Sequence, residues 1–339
     1  MSTRFQNAQE LLDNKHFFKI VCGAGNEDPI EVRRLTTIYT LAGASAIDLS
    51  ANPDIVRSAV EGISNAETLA EKMGKTLSCR PFINVSVGIA GDPHIRKARI
   101  NPDSCIRCGF CTDVCEQNAI EERFIIAEER CIGCGKCADV CEQGAVSFFN
   151  RRVNLATLLP DCLQAGAEMV ELHAVTGDDA AVLSDWRLIN SLVPKNYISM
   201  CLDRSLLSDT HFIKRISDAY SIAGDRMIVQ ADGAPMSGGS DDFNTTLQAI
   251  ATADIVAKSK IPVKILASGG TNSKTKELAD LCRVPIHGVS IGTYARKIVK
   301  SYITSESFER DIDVVAKAVN IAEKLVEQTT RKNAINQRG

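Results

Sequence analysis

The sequence predicts an α/β protein: a (β/α)8 barrel of the TIM type, with a small ferredoxin-like α+β module inserted after strand three. Three observations lead to this fold class. Eight short apolar segments alternate with amphipathic helical segments, glycine-rich segments follow the last two of them, and eight of the 13 cysteines lie between Cys105 and Cys141. A doubly wound sheet is the alternative for the alternating pattern, but the count of eight favours a closed barrel.

Composition and charge exclude several classes of protein. The chain has 339 residues, 45% of them hydrophobic, and a formal net charge of −3. Such values are ordinary for a globular protein and lack the basic excess of nucleic-acid binders. The longest charge-free run, 35–47, is too short to cross a bilayer, and residues 1–19 contain no apolar segment of a secretory signal. We therefore expect a cytoplasmic protein with no membrane span and no nucleic-acid partner.

Each predicted strand is a short run rich in β-branched residues, as expected where both faces of a sheet are buried. Asp28 before Pro29 and Asn52 before Pro53 predict helix starts, whereas Pro160 is expected to kink or split the helix in which it lies. The eight strands are predicted at 17–22, 46–50, 82–87, 169–174, 197–202, 227–231, 263–267 and 288–291. The domains are expected to be a barrel formed by 15–96 and 151–328, a module at 97–150, and a flexible tail at 329–339.

The module contains one cysteine motif twice. The pattern C-x2-C-x2-C-x3-C begins at Cys105 and recurs 26 residues later at Cys131. Three closely spaced thiolates can bind three irons of one cubane, and the fourth cysteine then belongs to the other cluster. Zinc sites usually have a longer gap between two cysteine pairs, and disulfides are disfavoured in the cytosol. The motif therefore predicts two [4Fe–4S] clusters, one bound by Cys105, Cys108, Cys111 and Cys141, the other by Cys131, Cys134, Cys137 and Cys115.

This module resembles the bacterial two-cluster ferredoxin family, with one difference. That family normally has proline after the fourth cysteine, whereas this chain has Glu116 and Glu142. The cysteines are unaffected. Because an acidic side chain beside a cluster disfavours the more negative reduced state, we expect the two glutamates to lower the reduction potential.

Polar residues near the predicted strand ends indicate a pocket at the C-terminal mouth of the barrel, where this fold builds its active sites. No short motif identifies a catalytic group, and the candidates are Asp48, Asp232 and Lys264. An insertion after strand three places the clusters at the same mouth, and the loop 232–239 is expected to be a lid or a plain connection. The full set of candidate pocket residues is Asp48, Asn84, Glu171, His173, Asp203, Gln230, Asp232 and Lys264.

The glycine-rich segments after the last two strands are typical of loops that hold a phosphate or another anion. The residues concerned are Gly269 and Gly270 after strand seven, and Gly292 and Thr293 after strand eight. Loops in which these glycines merely turn the chain are the alternative. The same residues resemble the flavin-phosphate loops of barrel dehydrogenases, so a flavin is a possible further cofactor.

Besides the cysteine block, five segments of the chain carry a resemblance to a known family: 18–24, 41–48, 232–238, 269–272 and 292–296. With them, nearly the whole chain resembles the cyanobacterial light-dependent period iron–sulfur protein family (LdpA). The resemblance implies a cytoplasmic protein that reports cellular redox state, and thereby light, to the circadian clock, with clock-associated proteins as partners.

Three functions follow from these observations. We expect a redox sensor rather than an enzyme. The second function is a barrel oxidoreductase in which the clusters deliver electrons to a flavin or a phosphorylated substrate at the mouth. The third is a simple electron carrier with electron-transfer partners, which ranks last because a carrier does not need a barrel.

Overall fold

The structure is a computed structural model, and it describes residues 3–23, 25–88, 96–150, 153–234 and 237–330. The strands are β1 (Phe17–Val21), β2 (Ala46–Ser50), β3 (Phe82–Gly88), β4 (Arg96–Ile100), β5 (Val146–Asn150), β6 (Met169–His173), β7 (Ile198–Leu202), β8 (Met227–Asp232), β9 (Lys264–Ser268) and β10 (Gly288–Ile291). All except β4 and β5 form a closed parallel barrel in the order β1-β10-β9-β8-β7-β6-β3-β2. The predicted fold class is confirmed.

The described residues form twelve α-helices, most of which pack around this barrel and cover the outer faces of its strands. They are α1 (Thr3–Asp13), α2 (Pro29–Leu41), α3 (Pro53–Met73), α4 (Phe110–Asp113), α5 (Lys136–Asp139), α6 (Leu155–Ala165), α7 (Asp179–Leu192), α8 (Asp209–Ala223), α9 (Phe243–Lys258), α10 (Thr275–Leu281), α11 (Thr293–Ile303) and α12 (Ile312–Thr330). Among the described residues, none of these helices has the length and apolarity needed to cross a membrane.

Local signals fixed several helix ends. The Asp28 carboxylate accepts the backbone N–H groups of Ile30 and Glu31 at 2.9 and 3.1 Å, as an N-cap does. Pro160 does not split α6, which continues through it from Leu155 to Ala165. The last helix runs two residues into the predicted tail, because Thr329 is buried and donates to the Leu325 carbonyl. Residues 331–339 of that tail lie outside the described part of the chain.

The helix α1, which the sequence analysis did not predict, closes the N-terminal end of the barrel. Its buried residues Phe5, Ala8 and Leu12 pack on the first residues of the strands, and Phe5 stacks on Tyr197 with ring centroids 4.8 Å apart. Apolar side chains therefore seal this end of the barrel.

The prediction for Lys264 is wrong. This residue begins β9 at the sealed end, and its ammonium forms an ion pair with Asp13 at the end of α1. It is remote from the C-terminal mouth because all eight parallel strands point the same way, and only their last residues reach that mouth.

The inserted module follows the C-terminal end of β3 and is built on the antiparallel pair β4–β5. Several contacts join it to the loop between β1 and α2. The Lys97 ammonium, on β4, donates to the Gly25 carbonyl, and the Glu27 N–H donates to the Glu129 carbonyl at 2.7 Å. The module therefore lies on the C-terminal mouth of the barrel, where its insertion point predicted it.

Candidate cluster sites and barrel-mouth pocket

Eight cysteines of the module surround two separate cavities, four to each. Each group takes three cysteines from one copy of the motif and the fourth from the other copy, in the same grouping as the motif predicts. The first cavity is lined by Cys105, Cys108, Cys111 and Cys141, and the second by Cys115, Cys131, Cys134 and Cys137.

The sequence repeat produces a backbone repeat. Arg107 and Gly133 occupy equivalent positions and both have a left-handed backbone, with φ of 59° and 68°. Gly109 and Gly135 likewise share φ values of 90° and 94°, immediately before the short helices α4 and α5. A left-handed residue between two cysteines curls the loop tightly, so that successive sulfurs face one cavity.

The donor set of each cavity fits a [4Fe–4S] cluster. Every cysteine of the chain is a free thiol, so no sulfur is already used in a disulfide. Backbone N–H groups donate to the Sγ atoms of Cys115, Cys141 and Cys131, from Ala119, Ala145 and Ala98, at 3.3, 3.3 and 3.4 Å. Such bonds stabilise a thiolate ligand and tune the metal that it holds.

The two glutamates that replace proline have different surroundings. The Glu116 carboxylate accepts from the Lys136 ammonium at 2.6 Å, and the Lys300 ammonium donates to the Glu116 carbonyl. Glu142 is exposed. The negative charge of Glu116 is thus partly compensated by its neighbours, which weakens its expected effect on the reduction potential.

A pocket of about 100 Å³ that contains several charged and polar side chains lies at the barrel mouth. It brings together most of the residues that the sequence analysis assigned to it. Among them are Asp48, Glu171, His173, Gln230, Asp232, Gly269, Gly270, Gly292 and Thr293.

Besides Lys264, two predicted lining residues have other positions. Asn84 lies behind the pocket lining and donates to the Asp48 carboxylate at 2.5 Å. The Asp203 carboxylate accepts the N–H and hydroxyl of Ser205 at 2.9 and 2.6 Å, which stabilises the loop that follows β7. Residues 235–236 of the predicted lid are outside the described residues.

A buried ion pair lies inside the barrel, and the sequence analysis missed half of it. Lys19 on β1 pairs with Glu171 on β6, and both are almost fully buried. Glu171 also accepts from Ser199 at 2.9 Å and from the Gln230 amide at 2.8 Å. The signal for Lys19 was a single charged residue in an otherwise apolar strand, Phe17–Val21.

The groups around this pair have shifted pKa values. Burial by itself would lower the pKa of Lys19, but the charges of Glu171 and Asp48 outweigh it and raise that pKa. Burial would raise the pKa of Glu171, but Lys19 and His173 hold it well below the usual range. The pKa of Asp48 is raised, chiefly by burial, although Lys19 opposes the shift. These shifts favour the charged forms of Lys19 and Glu171, and Asp48 is the one of the two carboxyl groups better suited to hold a proton.

Comparison with known proteins adds a family to this geometry. A family model described as the light dependent period A C-terminal domain matches residues 162–328, and a 4Fe–4S binding domain model matches residues 98–121 and 124–147. The chain is 30% identical over 334 residues to Light dependent period A from Synechococcus elongatus, and the match covers 94% of this chain and 92% of that protein.

Solved structures also match the chain, but with much lower sequence identity. Tryptophan synthase from M. tuberculosis matches with a TM-score of 0.45 at 11% identity, covering 97% of this chain and 100% of that one. The YdjI aldolase from Escherichia coli K12 matches with a TM-score of 0.46 at 8% identity, covering 96% and 95%.

Proposed function

The chain belongs to the light dependent period A family, and from this premise we propose that it is a redox sensor with two [4Fe–4S] clusters that informs the circadian clock. It is an iron–sulfur protein, as the family and the two matched 4Fe–4S segments indicate. The proposed number of clusters is based on two cavities with four cysteine sulfurs each. The proposed role in the clock is based on the resemblance between this chain and its relative.

The contact between the module and the barrel supports sensing most directly. When bound, a [4Fe–4S] cluster accepts and releases one electron at a time. The Lys97 ammonium donates to the carbonyl of Cys131, one of the proposed ligands, at 2.9 Å, and also to the Gly25 carbonyl of the barrel. A buried charge change beside this ammonium is worth a few kcal/mol, which is enough to bias a two-state contact. Lys97 is therefore suited to convert a redox change into a change at the barrel mouth.

A protein partner is supported by the surface around the first cavity. Ile106 and Phe110, which line that cavity, expose 66% and 54% of their surface. Grouped apolar side chains of this kind are typical of interaction sites. We propose that clock-associated proteins bind at this surface.

The experiment compares oxidised and dithionite-reduced forms of the full chain purified without oxygen. We expect about eight irons per chain, as two cubanes require. Hydrogen exchange across residues 97–150 should then differ between the two forms, and so should the affinity for a purified clock protein. Zinc in place of iron, or identical exchange and affinity in both forms, would contradict the proposal.

A barrel oxidoreductase is the second candidate, because Glu171, which pairs with the buried Lys19, lines the mouth pocket beside Asp48. In that case the clusters would deliver electrons to a flavin or a phosphorylated substrate. A flavin spectrum in the purified protein would favour this candidate, whereas a spectrum of iron and sulfide alone would favour the sensor.

A further inference from the structure

We propose that the barrel mouth binds a small hydroxyl-containing molecule that carries a phosphate group, and that Arg296 is the residue that binds the phosphate. This inference goes beyond redox sensing, since it assigns a ligand to the barrel itself. The site can be tested in the oxidised protein alone, so that its failure is distinguishable from failure of the proposed sensor.

The main evidence for this site is the buried guanidinium of Arg296. Arg296 lies in the first turn of α11, lines the mouth pocket and is only 8% exposed. One guanidinium nitrogen, Nη1, donates to the Cys22 carbonyl at 3.0 Å, whereas Nε has no hydrogen-bond partner among the described residues. A guanidinium is always charged, and burying it with an unused donor is costly unless an anion supplies the missing acceptor. Two parallel N–H groups also match the geometry of a phosphate.

Two further polar atoms of the same pocket lack partners in the described part of the chain. They are Ser290 Oγ and Gln230 Oε1, in residues that are 1% and 3% exposed. Buried polar atoms are nearly always hydrogen-bonded, so unmet ones lining a cavity indicate a polar ligand. The Ser290 hydroxyl can donate to a phosphate oxygen. The Gln230 oxygen can only accept, which calls for a hydroxyl group elsewhere on the ligand.

The start of α11 adds donors to this arrangement. Gly292 precedes the helix and provides no side-chain cap, so the first backbone N–H groups of this 11-residue helix are left for another acceptor.

Gly269 and Gly270 are weaker evidence for a phosphate site. A β-carbon at these positions would lie 2.1 Å from Asp232 Oδ1 and 2.0 Å from the Thr245 carbonyl, so close packing already requires glycine there. Arg296, Ser290 and the helix start therefore form the phosphate side of the site, and Gln230 faces the hydroxyl group of the ligand.

Two of the three acidic residues that line the pocket, Glu171 and Asp48, do not cancel this positive end. The Glu171 carboxylate is already paired with the Lys19 ammonium and accepts from Ser199 and Gln230. Asp48 accepts from Asn84 and Ser86 at 2.5 and 2.7 Å. Both groups are thus held by the barrel's own hydrogen bonds, whereas Arg296 keeps an unused donor.

The phosphate site adjoins the second cysteine cavity. Arg296, Thr293 and Ile132 line both the mouth pocket and that cavity. A phosphate in the mouth pocket and the negative charge of a reduced cluster in the second cavity would therefore compete for the Arg296 guanidinium. By linkage, a bound phosphate should lower the potential of the second cluster, and reduction should weaken phosphate binding by the same factor.

The test is a calorimetric titration of the oxidised, anaerobically purified full chain with inorganic phosphate. We expect saturable binding that Arg296→Gln weakens at least tenfold, or about 1.4 kcal/mol. Ser290→Ala should weaken binding to a smaller extent. The control Arg187→Gln makes the same substitution on the exposed face of α7 and should bind as the unmodified protein does.

Iron content and circular dichroism check that each variant is folded. If Arg296→Gln fails to fold, Ser290→Ala keeps the test decisive, because it removes one hydroxyl without changing the shape of the side chain. Absence of phosphate binding, or unchanged binding in the folded variants, would overturn the site. Equally strong binding of acetate would overturn its specificity for phosphate.

A redox titration with and without phosphate tests the coupling separately. We expect one of the two potentials to fall when phosphate is present, and to stay constant in Arg296→Gln. Phosphate binding without a change in potential would overturn the coupling.

Discussion

The Lys97 ammonium lies 2.9 Å from the carbonyl oxygen of Cys131, and both residues are buried. The same ammonium donates to the carbonyls of Gly25 and Glu128. The Lys97 ammonium therefore joins the second cysteine group to the barrel.

Replacing the Lys97 ammonium should change both the reduction potential of the second cluster and the stability of the protein. We expect Lys97→Met to lower the potential of the second cluster, because a nearby positive charge stabilises the more negative reduced state. It should also lower the free energy of unfolding by about 1–3 kcal/mol, since buried carbonyls lose their donor. Potentiometric and denaturant titrations measure the two effects. Arg99→Met, at an exposed residue of the same strand, is the matched control, and an equal change there would contradict the assignment.

The crossed grouping of the cysteines predicts which variants behave alike. Cys115→Ser and Cys134→Ser should remove the same paramagnetic signal, although they lie in different copies of the motif. Iron content should fall from about eight to about four atoms per chain. Cys282→Ser, an exposed thiol outside the module, should retain all the iron. If Cys115→Ser instead removed the signal lost in Cys105→Ser, the grouping would be wrong.

The two glutamates should differ in their effect on the potentials. Glu142→Gln is expected to raise the potential of the nearer cluster, since it removes an exposed negative charge beside Cys141. Glu116→Gln should have the smaller effect, because Lys136 already compensates that charge. Redox titration of both variants compares them, and an equal or larger shift for Glu116→Gln would count against the compensation.

Breaking the buried Lys19–Glu171 ion pair should destabilise the protein. Lys19→Met leaves the Glu171 charge buried without its cation, and we expect a loss of about 3–5 kcal/mol in the free energy of unfolding. The double variant Lys19→Met with Glu171→Leu should recover part of that loss, because it removes both charges. Denaturant titration of both variants is the measurement, and a single variant as stable as the unmodified protein would refute this reading.

His287 predicts a pH dependence of stability at the sealed end of the barrel. Burial, with Lys264 and Lys15, lowers its pKa to about 4, and its Nδ1 accepts the Ile265 N–H at 3.0 Å. Between pH 6.5 and 4 the unfolded chain therefore binds more protons, so stability falls as the pH falls. Because the ring is partly exposed, we expect a loss of only about 1–2 kcal/mol across this range.

Thermal unfolding of the unmodified protein and of His287→Asn, between pH 7 and pH 5.5, checks this expectation. The variant should lose stability less steeply as the pH falls. Parallel curves would show that the ring does not contribute.

Local signals were enough for much of the fold. A buried strand is a short apolar run, and a helix start is an Asp–Pro or Asn–Pro pair, so the eight strands and the start of α2 could be located from neighbouring residues alone. The cysteine spacing works in the same way, because three sulfurs within one tight loop must face a common point. These features depend on residues close together in the chain.

The composition of the mouth depended on contacts between distant residues. Lys264 and Lys19 each stand in an apolar strand, yet one pairs with Asp13 at the sealed end and the other with Glu171 inside the barrel. Arg296 looks like any helical arginine in the sequence, and only the docking of the module onto the barrel places it between two cavities. Strand periodicity sets which side chains face inward, whereas closure of the barrel sets how deep each one lies and what it meets there. That depth and those partners decide which charges are buried, and therefore which of them the protein can use.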